Sequence, residues 1–347
     1  MSDGALRVAC VGAGYFSQFH YDAWARIAQV TCVGAADRNI ELAQATGLPA
    51  FEDVHAMLTQ VVPDILDIIL PPEGHRDTIR AAVAAGVKTI ICQKPFCLDI
   101  DTATALADLA ETAGATLIIH ENFRFMPWYR CIKSQLDAGR IGTPLQACFR
   151  VRPGDGQGPN AYLDRQPYFQ QMPRFLIHET GVHWVDTFRF LFGNPSAVYA
   201  DLRQINPAIA GEDAGFVIFD HPHGVRTVLD GNRHCDHPAD NHRRTMGEAL
   251  FEGSKGVLTL TGDGAVQFRA QGDQAHVMVS PPDTWGGFGG DCVYHLQNHV
   301  VQAVLHGHAV ENQAHDYLTV IRIKDAIYRS AASGQKISLA ARVAEGP

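Results

Sequence analysis

The chain lacks most of the features that would direct its chemistry elsewhere. Its eight cysteines (Cys10, Cys32, Cys92, Cys97, Cys131, Cys148, Cys235 and Cys292) are scattered, with no Cys-x-x-Cys pair. That spacing argues against a zinc knuckle or a disulfide framework and fits buried, inert thiols in a reducing compartment. No Gly-x-Ser-x-Gly is present, so the nucleophile elbow of a hydrolase is missing. His295 and His299 stand at a zinc-like spacing, but position 296 is Leu296 where a zinc protease needs its acid, and no metal is expected. No apolar run approaches the length of a membrane span, and no basic segment leads into a long apolar one near the first residues. Basic residues are in deficit: 28 Lys and Arg face 37 Asp and Glu, a net charge of −9. Such a chain has no electrostatic reason to hold nucleic acid or anionic lipid. The expectation is a soluble, cytoplasmic protein with neither as a partner.

What is present is a long chain, 347 residues of which 46% are apolar. That is too much for one ordinary core and implies two domains. Up to about residue 120, short apolar runs (6–11, 30–35, 65–70, 89–92 and 116–120) alternate with helical patterns (17–27, 40–46, 54–60, 76–85 and 101–112). The runs lack polar alternation, as strands buried on both faces do, and their alternation with helices implies a parallel sheet. After residue 122 the texture changes. A polar loop rich in Gly and Pro (152–173) leads to a helical run that Gly193, Asn194 and Pro195 stop. Extended segments then follow one another, with His221-Pro222-His223-Gly224 as a hairpin turn, and two helical patterns (293–305 and 317–330) end the chain. The expected architecture is an α/β N-terminal domain with a parallel sheet, residues 1–122. An α+β domain with an antiparallel sheet, residues 123–347, is expected to follow.

Two places carry chemistry. At the first, the run Val8–Val11 enters Gly12-Ala13-Gly14-Tyr15-Phe16-Ser17 and then a helix. Gly12 permits a tight turn, Gly14 lets a pyrophosphate approach the backbone, and the helix start offers free N–H groups to its charge. Asp37 closes the next strand, where an acidic side chain accepts hydrogen bonds from the adenosine ribose and repels a 2′-phosphate. NAD is therefore expected over NADP, with Arg38 beside it able to meet a phosphate or stack on adenine. Pro71, Pro72 and His75 follow a later strand and line the same crevice; His75 also reads as a cap for a helix starting near Arg76. Gln93-Lys94-Pro95 follows the next strand and sets an ammonium at the sheet edge, suited to holding a substrate oxygen as hydride leaves.

The second place is Phe175–Gly193. Glu179 and His183 are four residues apart in a helical run, so both side chains are expected on one face, one turn apart. An imidazole is suited to removing a hydroxyl proton near neutral pH, and a carboxylate to orienting it. Asp186 is a further candidate partner for His183. Together these features point to a nicotinamide-dependent dehydrogenase acting on a polyhydroxy compound. Two rivals on the same fold are a lyase or isomerase that reduces and reoxidises tightly held NAD, and a non-enzymatic NAD-binding regulator.

These residues, taken in order, resemble the Gfo/Idh/MocA oxidoreductases over nearly the whole chain. The resemblance rests on the glycine turn, Asp37, the Pro71-Pro72…His75 loop, Lys94-Pro95, Gly181-x-His183-x-x-Asp186 and the closing segment 326–334. It implies a Rossmann domain followed by a domain with an open, mostly antiparallel sheet that often joins subunits, hence a homodimer or homotetramer. It also implies that Lys94 contacts substrate and cofactor, and that Glu179 and His183 stand where the family has an Asp-x-x-x-His pair. Gln93 replaces the family's usual Glu, and Glu179 replaces Asp. Asn122 and Arg124 fall near the mouth of the family's active site, and Arg124 offers a fork of donors for a carboxylate or sugar oxygens. The segment from Gln166 through Tyr168, Arg174 and His178 to Gly181 resembles a subgroup acting on small sugars, including branched pentoses of the D-apiose kind.

Overall fold

The computed structural model describes residues 5–339. Contacts divide the chain into two units, each with its own sheet. One comprises the chain up to Asn122 together with Asp291–Thr319; the other comprises Phe123–Gly290 and the chain from Val320 onward.

The first unit alternates strand and helix: β1 (Leu6–Val11), α1 (Ser17–Arg26), β2 (Val30–Ala36), α2 (Ile40–Ala45), β3 (Ala50–Phe51), α3 (Val54–Val61), β4 (Ile65–Ile68), α4 (Pro72–Ala84), β5 (Thr89–Gln93), α5 (Ile100–Thr112) and β6 (Thr116–His120). The strands make one six-stranded sheet, every pair parallel, in the order β3-β2-β1-β4-β5-β6. This is the strand order of the doubly wound dinucleotide-binding fold. β4 and β5 are buried at every position, as strands with helices on both faces must be. Short polar side chains start the helices: Asn39 accepts from the Glu41 N–H, Asp53 from those of His55 and Ala56, and Asp99 from that of Thr102.

The second unit begins with α6 (Pro127–Asp137) and β7 (Pro144–Val151). It continues with α7 (Val182–Phe192), β8 (Ala197–Arg203), β9 (Ala214–Asp220), β10 (Arg226–Asn232), β11 (Gly247–Gly253), β12 (Gly256–Leu260), β13 (Val266–Ala270) and β14 (Val277–Ser280). Next in the chain, α8 (Phe288–His306) belongs to the first unit from Asp291 on, and α9 (Ala314–Ser333) belongs to the second from Val320 on, ahead of a short β15 (Ile337–Ser338). The nine strands form an open sheet in the order β14-β13-β12-β11-β7-β10-β9-β8-β15. Only β7 and β10 run parallel; the other paired neighbours are antiparallel. The expected α/β plus α+β class, with a mostly antiparallel second sheet, holds.

One face of this sheet carries the core, with Phe149, Val217, Phe219, Leu229 and Phe251 buried and Trp184 of α7 packed on Phe149 at 4.5 Å between ring centres. Strand register puts Tyr199, Ile218, Val228, Cys148, Leu250 and Thr259 opposite one another in a row across six strands. Side chains alternate along a strand, so this row lies on the other face, where Tyr199 and Leu250 are exposed and the rest are half-buried.

Candidate active site

The cofactor end is built by loops at the carboxyl edge of the parallel sheet. Gly12 leaves β1 at φ +106°, and a Cβ there would run into the backbone carbonyl of Ile69, just past β4. Only glycine fits that turn. A Cβ on Gly14, by contrast, would meet nothing within 4 Å. The backbone there presents an open face, which is the space a pyrophosphate needs to reach the first turn of α1. Ser17 donates from its Oγ to the Gly14 carbonyl at 2.6 Å and so ties the turn to the helix. Asp37 follows β2, and its carboxylate accepts from the Ala13 N–H and from the Asn39 N–H, each at 2.8 Å. The acid expected to select NAD is thus pinned against the glycine turn itself. Tyr15 and Arg38 are exposed and Phe16 is half-buried, with both aromatic rings packed against Phe19.

The reading of His75 as a cap is corrected. Pro71 is the cap and Pro72 the first residue of α4, because a fixed φ and a missing N–H suit a helix start. His75 therefore lies inside the first turns, fully buried. Its Nδ1 is 2.8 Å from the Phe96 carbonyl and its Nε2 2.8 Å from the Leu70 carbonyl. The neutral ring donates to one of these carbonyls and packs its other nitrogen against the second, between the loop after β4 and the loop that carries Lys94. Burial lowers its pKa below the usual 6.5, against the opposing pull of the two carbonyls and Glu73. Gln93 ends β5, buried, and its Oε1 accepts from the Lys94 N–H at 2.9 Å. Lys94 is half-buried, and the Lys94–Pro95 peptide bond is cis.

The catalytic candidates of the second unit need a correction of geometry. Glu179 and His183 do not share one regular helix. Leu176–Gly181 forms a π-helical turn, and α7 starts only at Val182. The pair straddles the junction, so the wider turn changes the angle between them from that of an α-helical i,i+4 pair. His183 stacks face to face on Phe123, with ring centres 3.8 Å apart and planes within 6°. The Glu179 carboxylate accepts from the Thr180 hydroxyl at 2.5 Å and lies 3.9 Å from Arg233 Nη1.

Arg233, which the sequence offers only as one of several polar residues able to meet substrate hydroxyls, holds an internal network. It is almost wholly buried among the rings of Tyr162, Phe169 and Phe175. It reaches Asp155 by two hydrogen bonds (3.1 and 2.9 Å) and donates to Thr180 Oγ1 at 2.7 Å. Burial works against its charge, but Asp155, Tyr162 and Glu179 outweigh that and raise its pKa. Asp155 responds in the opposite sense. Burial pushes its carboxyl up, while Arg233 and Arg165 more than offset this and hold it below the usual carboxylate value.

Arg124, expected near the mouth of the site, is engaged with α7. Its Nε and Nη2 bind the two oxygens of the buried Asp186 at 2.7 and 2.5 Å, with Arg189 3.6 Å from the same carboxylate. A fork committed to a buried carboxylate is a structural clamp of Phe123–Phe125 on α7. Tyr168 stands exposed on the 3₁₀ turn Pro167–Gln171, and exposed Arg174 lies over the ring of Tyr328 at 4.5 Å. Asn122, the last residue of the first unit, is buried.

Comparison with known proteins shows the family of the chain. Residues 6–121 match the model of the oxidoreductase family with an NAD-binding Rossmann fold, and residues 129–259 match the GFO/IDH/MocA C-terminal domain. The chain belongs to the GFO/IDH/MocA family of oxidoreductases. It is 31% identical to a D-apiose dehydrogenase of Paraburkholderia graminis, across 98% of this chain and 91% of that one. A D-apiose dehydrogenase of Rhizobium rhizogenes is 26% identical across 97% and 98%. An oxidoreductase of Agrobacterium radiobacter, solved with NAD+, L-tartaric acid and magnesium, superposes with a TM-score of 0.86 at 25% identity, covering 96% of this chain and 98% of that one. The protein is an NAD-binding oxidoreductase of a family of sugar and polyol dehydrogenases. Among the described residues, no helix is long and apolar enough to cross a membrane.

His75 has a consequence in solution. Its native ring resists protonation while the unfolded ring titrates near 6.5, so the unfolded chain binds more protons as pH falls through that value. Stability present above about pH 6.5 should therefore be lost on acidification. Melting temperatures taken between pH 7 and 5 should fall more steeply for the native protein than for His75→Asn. Equal slopes would remove His75 as a source.

Proposed function

We propose that the protein oxidises a hydroxyl of a sugar or polyol, with a branched pentose such as D-apiose as its substrate class. The observation that carries this reading is the place of Lys94. It follows β5 at the carboxyl edge of the parallel sheet that also bears the glycine turn and Asp37. Ligands of such sheets lie outside that edge. Similarity to two D-apiose dehydrogenases over nearly the full chain supports the choice of sugar.

NAD, when bound, supplies the hydride acceptor. The Lys94 ammonium holds the reacting oxygen and stabilises its alkoxide character. His183 accepts the hydroxyl proton, its ring plane set by Phe123. Glu179, oriented through Thr180 and Arg233, directs the base or a neighbouring hydroxyl. Gly12 and Gly14 receive the pyrophosphate, Asp37 the adenosine ribose, and Tyr15, Phe16, Arg38 and Pro71 border the dinucleotide. Asn122, Tyr168 and Arg174 are the remaining candidates for substrate hydroxyls. The apolar row from Tyr199 to Leu250 supports self-association through the open sheet face.

Three outcomes test this reading. Lys94→Ala and His183→Ala should each lower kcat/KM for D-apiose by about 10² or more, since positioned acid–base groups contribute about 10²–10⁴; near-native NADH production by both would end it. Asp37→Ala should lower the ratio of NAD to NADP efficiency by about tenfold or more. The ratio is the informative quantity, because loss of the Ala13 contact weakens both cofactors alike. Ile218→Lys, in the middle of the apolar row, should reduce the mass measured by sedimentation from a dimer or tetramer to a monomer. An unchanged mass would place the interface elsewhere.

A further inference from the structure

Position 93 carries an amide where the family resemblance implies a carboxylate, and the groups around it require one. Asp67 of β4 is wholly buried, and its Oδ2 receives Trp24 Nε1 at 2.8 Å and Gln297 Nε2 at 3.2 Å. The same oxygen lies 2.7 Å from His20 Nδ1. A carboxylate only accepts, so His20 Nδ1 carries the hydrogen and Nε2 presents its lone pair. Gln93 Nε2 stands 2.8 Å from that lone pair and 3.4 Å from His120 Nδ1, with the two imidazoles 4.2 Å apart. The amide thereby donates to a histidine on each side while its oxygen accepts from the Lys94 N–H. A glutamate would still accept from Lys94, but its second oxygen would oppose the His20 lone pair in a buried site, unless His20 took up a second proton.

We propose that Gln93 is a positioning residue for Lys94, oriented by an Nδ1-protonated His20 that Asp67 holds. The role of Lys94 in this inference rests on the function proposed above. The triad itself does not, and is read separately.

The test is a nitrogen-15 spectrum of the histidine rings in the full-length protein, with His20 assigned by its loss in His20→Asn. The native protein should show the Nδ1–H tautomer with a lone-pair Nε2, and Gln93→Glu should convert His20 to a doubly protonated ring at neutral pH. In Gln93→Leu, the Lys94 amide should exchange its hydrogen tenfold faster or more. The same variant should lower kcat about tenfold at an unchanged NAD dissociation constant. A native Nε2–H tautomer, an unaltered His20 spectrum in Gln93→Glu, or native exchange at Lys94 in Gln93→Leu would each overturn the proposal. Should Gln93→Glu not fold, the native tautomer and the leucine variant decide. If Lys94→Ala keeps full turnover while the tautomer and exchange results hold, the catalytic reading fails and the triad stands.

Discussion

At the carboxyl edge of the parallel sheet, Gly12 passes so close to the Ile69 carbonyl that no side chain fits between them. Much else in the first unit follows from that contact. It sets the turn after β1 directly against the loop after β4, since β1 and β4 are neighbours in the sheet. Asp37 can then reach across from β2 to hold the Ala13 N–H, and the backbone over Gly14 stays open. From the β4 loop the arrangement continues through His75, which bridges the Leu70 and Phe96 carbonyls, to the loop of Lys94. Loops after four strands are thus tied together, by the close Gly12–Ile69 approach, by the Asp37 carboxylate and by the buried His75 ring. A site for a dinucleotide needs this, because positioning within fractions of an ångström decides whether binding energy serves the reaction.

The second unit solves the same problem by other means. α7 is clamped at its start by Phe123 stacked on His183 and by Arg124 forked onto Asp186. Removing one partner of so buried a pair leaves an uncompensated charge, which costs about 3–5 kcal/mol. The clamp therefore fixes the orientation of the His183 helix through directed hydrogen bonds. Glu179 sits before the junction, in the π-helical turn, and takes its orientation from Thr180 and Arg233. π-turns within helices recur at functional sites because they offset side chains that a regular helix would align. Here the offset frees Glu179 from the register of α7 and ties it to the Asp155–Arg233 pair.

All strands of the first unit but the two-residue β3 (Ala50–Phe51), and the helices between them, are legible because their periods differ and glycine and proline punctuate them. β1 (Leu6–Val11) and β6 (Thr116–His120) follow the apolar runs residue for residue. The start of α4 was misjudged by about one turn, since two prolines read as a stiff loop although Pro72 also makes a good first helical residue. In the second unit β7 (Pro144–Val151) carried no clear signal. Its solvent face mixes Gln146, Cys148 and Arg150, and its parallel partner β10 lies far away in sequence. The Arg124–Asp186 and Arg233–Asp155 pairs were illegible for a related reason. Each joins residues more than 60 positions apart, 62 and 78 respectively, and no local pattern encodes such a meeting. A lone arginine in a loop reads as a solvent-facing donor until the fold supplies its carboxylate.

The contrast between Gln93 and Glu179 shows how the surroundings decide what a departure from a family pattern means. Both change the carboxylate expected at their positions, one by removing its charge and the other by lengthening its stem. At 93 the site is fully buried and already holds one anion, Asp67, whose hydrogen bond fixes the tautomer of His20. Adding a second anion would force a proton into the cluster, so the neutral amide is the form that meets both His20 Nε2 and the Lys94 N–H without a further buried charge. At 179 the guanidinium of Arg233, itself shared with Asp155, lies 3.9 Å from the carboxylate, so a negative charge is welcome and its reach is the free variable. The longer stem lets Glu179 meet Thr180 and face Arg233 from the π-turn. The first change therefore belongs to the packing around the lysine within the first unit, and the second to the π-turn of the second unit. Differences in sugar preference among related chains should be sought around position 179 before position 93.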